Sequence, residues 1–94
     1  MLVSTSTVAT VHASKYLQQL CKHWSHKFSV EFTAETGRVP FSDAAEVAFV
    51  ADSAALHLTL SVAERSQLER YQEVVAEHLK RFAFREELRI NWKT

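Results

Sequence analysis

The chain of 94 residues holds one cysteine, one glycine, one proline and one methionine. A single thiol excludes an intramolecular disulfide framework, and a single glycine cannot build the glycine-rich loops that cradle phosphates. G-x-G-x-x-G, the P-loop, G-x-S-x-G and H-E-x-x-H are all missing, which excludes nucleotide-binding enzymes of the usual kinds, nucleophile-elbow hydrolases and zincin peptidases. Charge of one sign is lacking too. Eleven basic residues balance 11 acidic ones at a pI near 7.0, so nucleic acid is not an expected partner. No run of about 18 apolar residues occurs, and Met1-Leu2-Val3-Ser4-Thr5-Ser6-Thr7 has neither a basic n-region nor an apolar h-region. A cytoplasmic protein without a membrane partner is therefore expected. With 47% hydrophobic residues and so few chain breakers, residues 1–94 read as one densely structured domain.

What the chain does have is a change of hydrophobic period. Val3–His12 is rich in Val and Thr, which suits a first strand. Leu17, Leu20, Cys21, Trp24 and Phe28 then fall on one stripe at 3.6 residues per turn, predicting a helix from Ser14, as N-cap, to about residue 27. Phe28, Val30 and Phe32 alternate with Ser29, Glu31 and Thr33 as a second strand. Gly37 predicts a tight turn into a short third strand, and Pro40 places that strand at an edge. Two further strands run through Val47–Ala51 and Leu56–Leu60, separated by Asp52-Ser53. Ser61-Val62-Ala63-Glu64 has the form of a capping box, so the second helix is expected to begin there. Its stripe is Leu68, Tyr71, Val75, Leu79 and Phe82, and it should end near residues 83–86, before a short last strand at Leu88, Ile90 and Trp92. The order is β-α-β-β-β-β-α-β, an α+β fold whose antiparallel-rich sheet carries two helices on one face.

Five histidines are the main chemical asset. His23 and His26 lie three residues apart, opposite the apolar stripe, and could share a metal, although a closed site needs three or four ligands and Lys22 is a poor neighbour for a cation. Cys21 points into the core, away from His23, and reads as a small buried hydrophobe. His57 points from the strand face opposite Leu56 and Leu58, while His78 reads as a half-buried, hydrogen-bonded histidine beside Tyr71 and Val74. His12 sits before the first helix, where anion contact is favourable. Glu69, Glu73 and Glu77 lack the Glu-x-x-His pattern of a di-iron helix and form a solvated face. No nucleophile or acid/base pair has catalytic spacing, so an enzymatic role is not expected, and no cofactor is assigned.

Two runs carry a resemblance: His12-Ala13-Ser14-Lys15-Tyr16-Leu17 leading into Leu20-Cys21-Lys22-His23-Trp24-Ser25-His26-Lys27, and His78-Leu79-Lys80-Arg81-Phe82-Ala83-Phe84-Arg85-Glu86-Glu87-Leu88 followed by Trp92. Together they resemble the bacterial domain of unknown function 2218 family over nearly the whole chain. The resemblance implies a small α+β domain like half of a TATA-binding-protein-like fold, with no established activity. It also implies a link to siderophore-interacting flavin reductases, hence to iron handling. Its signature includes His23, His26, Lys27, Arg85 and Glu86, which core packing does not require. The expected ligand-binding residues are therefore His12, His23, His26, Lys27, Arg85 and Glu86, with His23 and His26 as the metal-binding pair. Two functions follow as expectations: a binding module for a metal, an iron chelate or a small anionic ligand, and an interaction domain. The second would bury the free sheet face and Trp92 in a homodimer or against a siderophore-reductase-like partner.

Overall fold

The computed structural model describes Met1–Thr94. Seven elements follow one another: β1 (Leu2–Ala9), α1 (Ala13–Trp24), β2 (Glu31–Phe32), β3 (Thr36–Ser42), β4 (Ala45–Ala51), β5 (Ala55–Val62) and α2 (Arg65–Phe82). The strands form one antiparallel sheet in the order β1-β5-β4-β3-β2. Helix α1 packs on β3, β4 and β5, and α2 packs on β5, β1 and α1, so both helices cover the same face. This is the α+β architecture and element order expected from the sequence, apart from the final strand.

The period-two pattern explains which face is covered. Leu56, Leu58, Leu60 and Val62 of β5 point to the helices together with Val47 and Phe49 of β4, and all six are buried. The opposite face carries Thr5, Thr7, Thr59 and His57. A slip of one residue would drive this whole apolar row into water, which pins the register. From α1, Leu17, Leu20, Cys21 and Trp24 complete the core, and α2 adds Val75 and Leu79. Burying each Leu contributes about 1.5–3 kcal/mol.

Several boundaries differ from the sequence reading. Strand β2 shrinks to two residues, because Ser25–Phe28 still turn around the end of α1, with the Trp24 carbonyl accepting from the amides of Lys27 (3.0 Å) and Phe28 (2.9 Å). Ser14 lies inside α1 and donates to the Ala34 carbonyl (2.6 Å); the N-cap is His12, without a side-chain bond. The capping box does not form either. Ser61 and Val62 extend β5, paired with Val3 and Leu2 of β1 and with Glu46 and Ala45 of β4, so α2 starts only at Arg65. Strand pairing and the burial of Val62 override the local helix signal. The last strand reduces to a single bridge, Lys93 with Thr5, closed by two hydrogen bonds of 2.8 Å on the outer edge of β1. Leu88, Ile90 and Trp92 are half-buried and pack one side against the core.

Gly37 has a different role from the expected turn. The turn lies at Ala34 and Glu35, and Gly37 sits within β3, opposite Phe32 and Phe49. Its φ is not positive. What the missing side chain supplies is room. A Cβ there would stand 2.7 Å from the Cys21 Sγ and 3.3 Å from Leu17 Cδ2, so α1 can lie this close to β3 only over a glycine.

Gly37→Ala is accordingly expected to destabilise the fold by about 1–3 kcal/mol in urea unfolding, as overpacking does. Adding Cys21→Ala removes the clashing sulfur and should recover part of that loss. Costs that add within roughly 0.5 kcal/mol would show that the two sites do not meet.

Candidate functional site

The end of α1, the middle of α2 and β3 line an open cleft of about 410 Å³. Its inner wall is aromatic. Phe41 of β3 meets Trp24 and Phe28 edge-on, each with ring centroids 5.3 Å apart, and stacks on Tyr71 at 5.2 Å. The rim is cationic: His23, His26, Lys27, Arg70 and His78 line it, and no Asp or Glu does. The turn of residues 25–27 folds His26 and Lys27 back over the wall. On α2, Arg70, Val74 and His78 recur every four residues and present one face to the cleft.

The imidazoles of His23 and His78 lie 5.3 Å apart, and that of His78 lies 5.0 Å from the Trp24 ring. A nitrogen of His78, Nδ1, stands 2.7 Å from the Val74 carbonyl. A carbonyl only accepts, so Nδ1 carries the proton. His23 is held below the ordinary histidine pKa, first by desolvation and then by the positive charge of His78, Arg81, His26 and Lys27. The rim thus gathers like charge that the protein itself does not neutralise, and a bound anion would relieve the repulsion.

The six residues expected to form one patch divide between two places. His23, His26 and Lys27 meet in the cleft. His12 is exposed at the opposite end of α1, with its ring 6.1 Å from that of Tyr16. Arg85 is exposed beside Phe84, its guanidinium 5.5 Å from the ring. Glu86 is an anchor: it accepts from the Tyr16 hydroxyl and, at 3.1 and 3.2 Å, from the Thr10 hydroxyl. Burial, the hydrogen bond to Glu86 and the charge of that carboxylate push the Tyr16 phenol up to about 12. Glu86 therefore ties the segment after α2 to α1 and to the end of β1.

Metal chemistry finds too few ligands. No three His, Cys, Asp or Glu side chains converge on one point, so His23 and His26 lack the further ligands of a closed site. Burial pushes the Cys21 thiol up to about 11, which suits a core residue. A second polar cluster lies on the open sheet face. His57 donates from Nε2 to Asp52 (2.7 Å), and Thr7 lies 3.3 Å from its Nδ1. Asp52 also accepts from the amides of Ala54 and Ala55, and the bond with His57 first, then these two, hold its carboxyl below the usual range. Because Asp52 closes the β4–β5 turn, this chain of bonds is accounted for by turn geometry.

Arg70, Phe41 and the rim position of His78 were missed in the sequence reading. The four-residue spacing of Arg70, Val74 and His78 was a legible signal; the arrival of Phe41 from β3 was not.

Two outcomes follow. Glu86→Ala should cost roughly 1–3 kcal/mol in urea unfolding, since it leaves the Tyr16 and Thr10 hydroxyls without their acceptor. For His23, the unfolded chain binds the proton more readily than the folded one, so its contribution to stability falls as pH drops through about 6.5 towards the lower folded-state value. His23→Gln should flatten that acid-side decline in melting temperature; an unchanged slope would assign the decline to other groups.

Comparison with known proteins places the chain among relatives. Residues 5–93 match the family described as "Uncharacterized protein conserved in bacteria (DUF2218)". The chain is also similar to PA4090 from Pseudomonas aeruginosa, solved by NMR, with 41% identity, a TM-score of 0.83, and coverage of 99% of this chain and 96% of that one. No curated protein matches. With nearly the whole chain matched, the protein belongs to the bacterial family of domain of unknown function 2218.

Proposed function

We propose that the protein is a binding module for a small anionic ligand, held in the cleft between α1, β3 and α2. One observation carries this reading: Lys27, Arg70 and three histidines line an aromatic cleft that no carboxylate enters. Cation clusters without counter-charge favour anion binding, because the ligand removes repulsion as well as adding attraction. A cleft of about 410 Å³ falls within the range of small-molecule sites. Iron, if it comes here, comes as an anionic chelate and not as a free ion, since His23 and His26 have no third ligand beside them. That form is compatible with the link to siderophore-interacting reductases that the family resemblance implies. The residues assigned to the ligand are His23, His26, Lys27, Arg70 and His78. His12, Arg85 and Glu86 are left out, because they lie elsewhere.

A second reading, a homodimer or a complex with a reductase-like partner through the open sheet face, draws on Val3 and Val50, both exposed there. It predicts a native mass above that of the monomer in sedimentation equilibrium at rising concentration.

Sulfate tests the first reading, because it stays a dianion throughout the range in which histidine titrates. Calorimetric titration should give saturable binding that tightens as the pH is lowered from about 7.5 to about 5.5, because bound sulfate offsets the positive charge that opposes protonation of His23. Lys27→Gln combined with Arg70→Gln should abolish it. Ferric citrate should compete with sulfate, and zinc alone should leave the melting temperature unchanged. Binding of sulfate that neither tightens in acid nor responds to the double substitution would overturn the assignment.

A further inference from the structure

We infer that the anion taken by this cleft carries a planar aromatic body: the ligand class is an aromatic carboxylate of about one or two rings. The inference rests on the anion-binding reading above and adds the part of the ligand that charge does not specify.

The cleft has two chemically distinct halves. Its rim, with Lys27, Arg70 and the three histidines, would serve any anion. Its wall serves no purpose for a bare inorganic ion. Phe28, Phe41 and Tyr71 are only half-buried, so ring surface remains in water at the foot of a cationic rim. Packing does not demand this. Trp24 and Phe49 fill the core beneath, stacked with centroids 6.3 Å apart, and both are buried. The three outer rings form a second layer above them; Phe41 and Tyr71 stack on each other and the Arg70 guanidinium stands over Tyr71, yet each ring stays partly in water.

Geometry favours a ring over an alkyl chain as the occupant. Phe41 presents edges to Trp24 and Phe28, at 89° in each case, and lies nearly parallel to Tyr71, at 24°. These walls meet at right angles, so a flat ligand can stack on one ring while its edge meets another, the two arrangements that aromatic pairs prefer. A flexible chain would gain only contact area and would lose rotamer freedom on ordering. Arg70 sets the distance between the halves. Its guanidinium stands 6.0 Å from the Tyr71 centroid, so a carboxylate reaching Arg70 places an attached ring beside Tyr71. Imidazoles line the same mouth, since His23 and His78 lie 5.3 Å apart and His23 lies 5.9 Å from Phe82. They add flat surfaces as well as charge.

The test is a comparison of four probes on the intact protein: acetate, hexanoate, benzoate and 2-naphthoate, titrated by calorimetry with proton NMR of the Trp24 indole as a site reporter. Benzoate and naphthoate should bind about tenfold or more tighter than acetate, with ring-current shifts on Trp24. Phe28→Leu should lower naphthoate affinity towards that of hexanoate. Phe28 packs against the core from the loop after α1, so the amide spectrum must first show that this variant keeps the wild-type fold. Equal affinity for acetate and benzoate would overturn the aromatic class yet leave the anion reading standing. Hexanoate as tight as benzoate would replace the aromatic class with a generic apolar acid. No binding of any probe, sulfate included, would overturn both readings together.

Discussion

The close approach of α1 to β3 over Gly37 is the contact on which the rest of the molecule depends. With any side chain at that position, the helix would have to lift off the sheet to clear Cys21 and Leu17. Trp24, at the end of the same helix, reaches Phe49 and Phe41 only because the helix lies so low. The aromatic wall of the cleft is therefore a consequence of a missing Cβ about one helical turn away along α1. The single glycine of the chain is spent on packing, which leaves the turn at Ala34 and Glu35 to the Thr33 hydroxyl, accepting from the amides of Glu35 and Thr36 at 3.1 and 3.0 Å.

A low-lying helix also fixes the electrostatics. Where α1 ends, its last turn and the following loop project His23, His26 and Lys27 towards α2, which answers with Arg70, His78 and Arg81. Glutamates stand next to these residues in sequence, Glu69 beside Arg70 and Glu77 beside His78, yet Glu69, Glu73 and Glu77 are exposed and none of them lines the cleft. His23 registers this environment: burial first, and then the neighbouring positive charge, hold its pKa below the ordinary histidine value. Gathering cations at one point costs folding stability, and a bound anion would recover it, which would couple stability to ligand binding at this one end of the fold.

Much of the fold was legible because its signals are periodic. Alternation in β4 and β5, and the stripes of α1 and α2, place about half of the buried residues by spacing alone, and with them most of the large ones. The errors fall where a local signal competes with a tertiary one. Ser61 and Glu64 read as a capping box, but the same Ser61 is paired on both sides within the sheet, and the longer-range pairing prevails. Leu88, Ile90 and Trp92 alternate like a strand because they pack one side against the core, although only Lys93 finds a strand partner. The cleft was half legible for the same reason. Spacing along a helix can place His23, or align Arg70 with His78, but no spacing within one element reveals that Phe41 arrives from β3 to join them.

The two runs that carry the family resemblance are used differently in this fold. His23, His26 and Lys27 are exposed, make no side-chain hydrogen bond within the chain, and crowd positive charge around an open cleft. Glu86 is engaged by two hydroxyls from separate elements and closes the fold over the end of β1. A residue with its bonding capacity satisfied inside the protein has little left for a ligand, whereas a charged group held without a partner retains all of it. Bonding state, more than membership of a motif, therefore separates the residues that hold this fold together from those available for binding.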